Sequence, residues 1–246
     1  MIGLPLFAIS GAAVIDPQTI GGMVAWWDAN NVSPQTPGAN ITSATDRSGV
    51  GNNLTQGGSF GPTWNTNQFG SQPGIVYPAL PKYLYRNTKV YCANGYSIFS
   101  TFKTTANVTT SSHAANAPQT ILGDVQNDIY GTFGLDGGNV CYTYYTGTFI
   151  KYKSTGLTLN DGQLHTVGAT HSTSGAVTLY ADGVQVGSAT GVTYQTLYTG
   201  FTHLGIGYTL ADQFRNGSLA ETIVWNAAIT GNNMQDLHNR ALRTWA

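Results

Sequence analysis

The spacing of apolar and polar positions divides the chain into short alternating runs broken by turn residues. Ala176-Val177-Thr178-Leu179-Tyr180-Ala181 sets Val177, Leu179 and Ala181 against Thr178 and Tyr180, and Val184-Gln185-Val186 alternates again after Asp182-Gly183. Two such runs joined by Asp-Gly predict a β-hairpin, because the turn needs left-handed backbone that Asp and Gly tolerate. Tyr96 to Phe102 is rich in β-branched and aromatic residues, as are Val140 to Tyr145 and Thr148 to Tyr152; these types favour pleated, half-buried strands. From Gly22 to about Trp225 strand-like runs recur roughly every ten residues, which predicts a sandwich or barrel in place of βαβ units. One segment follows the helical period. Met234, Leu237, His238, Ala241, Leu242 and Trp245 share one helical face, with Thr230 placed to cap its start. Ala106 to Pro118 has no periodicity and reads as an exposed loop. Neither an internal repeat nor an interdomain linker interrupts the pattern.

Composition narrows the classes. The chain has 246 residues, of which 9% are charged and 41% hydrophobic. The charged share is far below the ~25% of ordinary soluble domains, and the hydrophobic share excludes a disordered chain. Net charge is −1. With no block of Lys or Arg, nucleic acid and anionic membrane are not expected partners. A small net charge favours association, so a homo-oligomer or larger assembly is the expectation. No run reaches the ~20 apolar residues of a membrane span. Residues 1–21 begin with the apolar stretch Met1 to Ala13, which lacks a basic leader and is interrupted by Pro5. They read as an arm that docks on a neighbouring subunit, leaving residues 22–246 as one β-sandwich. Cys92 and Cys141 have no Cys or His at metal spacing and read as buried thiols.

Three stretches carry a resemblance to a known family. Gly22-Met23-Val24-Ala25-Trp26-Trp27-Asp28-Ala29 and Asp46-Arg47-Ser48-Gly49 form an opening. Leu159-Asn160-Asp161-Gly162-Gln163-Leu164-His165-Thr166-Val167, followed by Leu179-Tyr180-Ala181-Asp182-Gly183, forms a central hairpin. Phe214-Arg215-Asn216-Gly217-Ser218-Leu219-Ala220-Glu221-Thr222-Ile223-Val224-Trp225-Asn226 forms a closing strand before the helix. In this order they resemble the laminin G-like domains of the concanavalin A-like superfamily, with Leu164 and Thr166 where that pattern has Trp and His. The resemblance implies an all-β fold: a two-sheet antiparallel jelly-roll sandwich with a short C-terminal helix.

Some relatives of this fold are glycoside hydrolases, which need two carboxylates flanking the scissile bond. Glu221 is the single glutamate, and no acidic residue follows it through Asn226. The paired-carboxylate motif is absent, so Glu221 is expected to be structural and the protein not an enzyme. Gly57-Gly58-Ser59-Phe60-Gly61 fits G-x-S-x-G but is followed by Pro62, without the strand-turn-helix context of a nucleophile elbow. His165 and His171 lie ~20 Å apart on one strand and cannot share a metal. Several relatives bind Ca²⁺ through loop oxygens, and Asp124, Asn127 and Asp128 are the candidate ligands, weighed against an Asx-rich turn. The aromatic run Tyr142, Tyr144 and Tyr145, with Tyr152, is the candidate ligand surface, weighed against core pairing.

Three functions follow. The first is a non-enzymatic virion protein (capsid decoration, fibre or tail component) of a phage. It docks to other virion proteins through its N-terminal arm and presents a lectin-like sandwich that holds host-surface glycans. The second is a secreted or surface carbohydrate-binding module, which places the protein outside the cell and not in a virion. The third, a glycoside hydrolase of the same fold, is disfavoured by the lone Glu221.

Overall fold

The alternation around Asp182-Gly183 becomes two strands joined by a tight turn, with Asp182 at φ 48° and Gly183 at φ 76°. Both turn residues occupy the left-handed region that a two-residue hairpin requires. The computed structural model describes residues 14–57, 61–78, 82–109, 117–124, 131–145, 149–194, 200–206 and 212–246. Strands cover Met23–Asp28 (β1), Val32–Ser33 (β2), Ser43–Ala44 (β3), Leu54–Gln56 (β4), Thr63–Phe69 (β5), Gln72–Tyr77 (β6) and Leu84–Tyr91 (β7). They continue over Tyr96–Thr104 (β8), Gln119–Gly123 (β9), Gly131–Asp136 (β10), Asn139–Tyr145 (β11), Phe149–Lys153 (β12) and His165–His171 (β13). Val177–Ala181 (β14), Val184–Ala189 (β15), Gly200–Leu204 (β16) and Gly217–Trp225 (β17) precede the helix Gly231–Trp245 (α1).

The strands form two antiparallel sheets. The first runs β15-β14-β13-β8-β17-β6-β5, with β1 also paired to β17. The second runs β12-β11-β10-β9-β16-β7-β4-β3-β2. The architecture is the expected jelly-roll sandwich. Tyr96 of β8 meets Tyr142 of β11 and Phe201 of β16 across the gap, at centroid separations of 5.8 and 5.7 Å. The core therefore lies between the sheets, where burial of apolar area supplies the main stabilisation.

Register in the second sheet sorts its residues by face. One transverse row joins Gln56, Leu84, Leu204, Leu122, Phe133, Tyr142 and Tyr152 across seven strands. This row is almost wholly apolar or aromatic and faces the core. The adjacent row joins Ser43, Thr55, Tyr85, His203, Gly123, Thr132, Thr143 and Lys151. It is mainly polar, carries the Tyr85–His203 pair, and faces away from the core, because successive side chains in a strand point to opposite sides.

Helix α1 covers the outer face of the first sheet. Thr230 Oγ1 accepts from the Asn233 N–H, and the Asn233 side chain accepts from the Thr230 N–H, which closes a capping box. The buried face carries Met234, Leu237, Ala241 and Trp245 as the periodicity predicts, and adds Arg240. His238 and Leu242 are only half-buried. Arg240 enters this face because its guanidinium meets Glu221 of β17 at 2.6 Å.

Residues 14–21 belong to the folded body. Ile15 and Ile20 pack against the core, and Gln18 Nε2 donates to the Arg47 carbonyl at 2.8 Å. The rest of the expected arm, residues 1–13, lies outside the described residues. Of the segment expected as an exposed loop, Ala106 and Ala117 are buried and Gln119 Nε2 donates to the Ala106 carbonyl; residues 110–116 lie outside the described residues. No helix among the described residues is long and apolar enough to cross a membrane.

Candidate ligand-binding face

The tyrosines singled out in β11 and β12 assemble, but inside the sandwich. Tyr142 and Tyr144 are 1% and 6% exposed. Tyr142 stacks on Tyr144 at 5.7 Å, and Tyr144 on Tyr152 at 5.9 Å. His171 of β13 closes the cluster from the other sheet, 4.9 Å from the ring of Tyr194. Burial lowers the His171 pKa to about 4, so the ring is neutral at neutral pH. Its Nε2 faces the Val192 carbonyl at 3.4 Å and carries the proton, which leaves Nδ1 to accept from the Tyr142 hydroxyl at 3.2 Å. Burial likewise raises the Tyr142 pKa well above its ordinary value. Tyr142 and Tyr144 therefore present no ring face to solvent and do not form the expected ligand surface. Phe133 and Tyr152 flank Tyr142 on the inward row, and that register sets the direction of the ring. Tyr152 is half-buried, and the side chain of Tyr145 lies outside the described residues.

The outward row offers a different aromatic surface. Tyr83 and Tyr85 lie two residues apart on the same face and are both half-buried. Tyr85 stacks on His203 with centroids 5.7 Å apart and planes 22° apart, and Tyr83 lies 5.4 Å from the same imidazole. His203 is 7% exposed, and burial lowers its pKa to about 4 against the opposing charge of Asp124. Thr202 Oγ1 donates to Asp124 Oδ1 at 2.9 Å, so the 2.6 Å contact between Thr202 Oγ1 and His203 Nδ1 has the imidazole as donor. This chain of bonds fixes the ring that supports the two tyrosines. Further along the row the surface closes: the Ala117 N–H donates to Thr132 Oγ1, which bonds Thr143 Oγ1 at 2.7 Å, and both threonines are buried. The far end carries Lys151 and Lys153, both paired with Asp136 at 2.7 and 3.0 Å.

The other candidates resolve as follows. Asp124 is ion-paired with Lys89 and bonded to Thr202; Asn127 and Asp128 lie outside the described residues. Among the described residues no three His, Cys, Asp or Glu side chains are grouped to hold a metal ion. Asp46 accepts from the N–H groups of Trp26, Ser48 and Asn52, and Asp28 pairs with Arg47 at 2.5 Å. Both shape turns. Ser59 lies outside the described residues. Cys92 and Cys141 are free and buried, and burial pushes both thiols up to about 12. Glu221 is fully enclosed. Its Oε1 accepts from Arg240 Nη1 at 2.6 Å, Trp245 Nε1 at 3.2 Å and Thr101 Oγ1 at 3.4 Å, and its Oε2 accepts from Trp26 Nε1 at 3.2 Å. The carboxylate ties β17, β8, β1 and α1 together.

A family model described as the concanavalin A-like lectin/glucanases superfamily matches residues 86–235. No curated protein matches the chain. Among solved structures, domain 4 of AbnA, a GH43 extracellular arabinanase from Geobacillus stearothermophilus in complex with arabinotriose, matches with TM-score 0.62 and 19% identity. That match covers 88% of this chain and 98% of that one. The binding domain of Paraclostridial Mosquitocidal Protein 1 matches with TM-score 0.62 and 11% identity over 89% of this chain. The binding domain of botulinum neurotoxin DC in complex with SialylT matches with TM-score 0.61 and 13% identity over 89% of this chain. This chain spans about half of each toxin domain, 52% and 51%. At these identities the likeness is one of fold.

Proposed function

The chain belongs to the concanavalin A-like lectin/glucanases superfamily, and from that premise we propose that it is a non-enzymatic glycan-binding module displayed on a phage virion. The observation that carries the glycan reading is the pair of half-exposed rings, Tyr83 and Tyr85, braced on His203. Rigid amphipathic rings suit the apolar face of a pyranose or furanose, and the phenol hydroxyls suit its polar edge. The arabinotriose complex of the AbnA domain and the SialylT complex of the neurotoxin domain support the reading by analogy of fold. A non-catalytic role is supported by Glu221, whose carboxylate is sealed beneath α1 and spent on four donors.

The test is a glycan array on the purified chain, including arabino-oligosaccharides and sialylated glycans, followed by titration of hits. Binding that falls about tenfold or more in Tyr85→Ala supports the proposal, since a stacked aromatic contact is worth on the order of 1 kcal/mol plus its buried area. Silence across the array, or binding of neutral glycans that is indifferent to Tyr85→Ala, sinks it. Hydrolysis of any bound glycan would overturn the non-enzymatic part.

The virion setting is supported by the 9% charge and the apolar residues 1–13. Because residues 14–21 are part of the body, the informative deletion is 1–13. It should leave a folded monomer that no longer joins its own copies or the particle. Unchanged assembly refutes the arm's role.

A further inference from the structure

We propose a second ligand site, on the opposite sheet from Tyr83 and Tyr85, that takes a carboxylate-bearing sugar residue such as a uronic or sialic acid. A groove of about 380 Å³ opens on the outer face of the first sheet, within the size range of small-molecule sites. Its floor is a transverse row of three residues in register, Val76 of β6, Ser218 of β17 and Lys103 of β8. The Phe69–Trp245 ring pair, 6.1 Å apart, stands beside it at the end of α1.

The chemistry of the lining selects the ligand. Lys103 is its only charged side chain, and no carboxylate lines the groove among the described residues. The nearest acid in sequence, Asp161 beside Gly162, is held by the Gln163 N–H at 2.8 Å and by His165 at 3.1 Å. Lys103 Nζ rests 5.4 Å from the Phe69 ring centroid, a cation–π contact that holds the ammonium in place without neutralising it. One point charge with neither a helix N-terminus nor a second cation suits a monoanion better than a phosphate.

The remaining polar groups are neutral. Ser218 Oγ donates to Gln68 Oε1 at 2.9 Å, which leaves the hydroxyl lone pairs to accept, and Asn216 and Thr105 complete the rim. Neutral donors and acceptors beside the apolar Val76 and Pro78 are what a sugar ring and its hydroxyls need. The paired first-sheet strands fix these groups in position, so the site is pre-formed.

The test is an amide chemical-shift titration of the full chain at constant ionic strength with four probes: sodium D-glucuronate, N-acetylneuraminate, D-glucose and sodium acetate. Glucuronate or N-acetylneuraminate should move the amides of Val76, Lys103 and Gly217, and glucose and acetate should bind at least tenfold more weakly. Lys103→Met should weaken binding of the acidic sugar about tenfold or more, and Lys103→Arg should retain it. Tyr85→Ala should leave it unchanged, which separates this site from the one proposed above. Equal binding of glucose removes the role of the charge. Equal binding of acetate removes the sugar. Absence of shifts, or shifts confined to the Tyr83–His203 face, overturns the site altogether.

Discussion

Glu221→Gln removes one charge and almost no volume, so it isolates what the buried carboxylate does. Glutamine can still offer its carbonyl oxygen to Arg240 and Trp245. Its amide N–H₂ then faces Trp26 Nε1, which now lies 3.2 Å away from it as donor against donor. Arg240, 8% exposed, keeps its charge and loses its counter-charge. Removing one partner of a buried pair costs about 3–5 kcal/mol, and the surviving neutral bond to Arg240 places this variant near the lower end. A loss of about 3 kcal/mol is a large fraction of the 5–15 kcal/mol that holds a typical domain. In a urea titration it appears as a fall in midpoint of roughly 1–1.5 M at unchanged slope, for slopes of about 2–3 kcal/mol/M. Arg240→Met and the double variant complete a thermodynamic cycle, in which the coupling should reach at least about 2 kcal/mol. A cost below about 1 kcal/mol for Glu221→Gln, or additive single effects, would refute the account of Glu221 as the clamp between sheet and helix.

Two further predictions concern pH and backbone geometry. His171 and His203 have folded pKa values lowered to about 4, below the unfolded value of about 6.5. Their contribution is therefore full above pH 6.5 and is lost as pH falls toward 4, by on the order of 2 kcal/mol each at pH 5; urea midpoints at pH 7 and pH 5 measure it, and His171→Asn should reduce the difference. His165 acts in the opposite sense, since Asp182 first and then Asp161 raise its pKa: that contribution is complete below pH 6.5 and disappears as pH rises through the raised value. Gly205 adopts φ 92°, and an added Cβ would sit 2.1 Å from Tyr77 Cε1, so Gly205→Ala should cost more than about 3 kcal/mol or prevent folding. Calorimetry showing a near-native melting temperature would contradict it.

Much of the fold is legible in the sequence because its signals are local. The Asp182-Gly183 turn, the period-2 runs beside it and the Thr230-capped helix each depend on a few neighbouring residues. The ligand face is not local. Tyr142, Tyr144 and Tyr145 give no sign of which parity faces inward, because the alternate residues Cys141 and Thr143 are also uncharged. Only pairing with Phe133 and Tyr152 decides the direction. The run Lys82-Tyr83-Leu84-Tyr85-Arg86 misleads, because Leu84 shares its parity with the cations Lys82 and Arg86. Alternation alone would turn the tyrosines inward, and only the pairing of Leu84 with Leu204 and of Tyr85 with His203 sets them outward. Arg240 escaped the helical-face reading because periodicity counts charge as exterior, whereas its partner Glu221 lies 19 residues earlier on another element.

The position of β17 has a consequence for how the molecule is made. It lies in the middle of the first sheet, bonded to β8 on one side and to β6 and β1 on the other, and pairs Trp26 with Ile223. The sheet's two halves are therefore joined by the strand made after every other described strand of the sandwich. Until Gly217–Trp225 emerges, β8 and β6 both present open edges. Contacts this distant in sequence form slowly, since a long loop must close before they are rewarded. A nascent chain will thus hold unpaired strand edges until β17 is made, and aggregation during expression, more than the stability of the finished sandwich, will limit its yield.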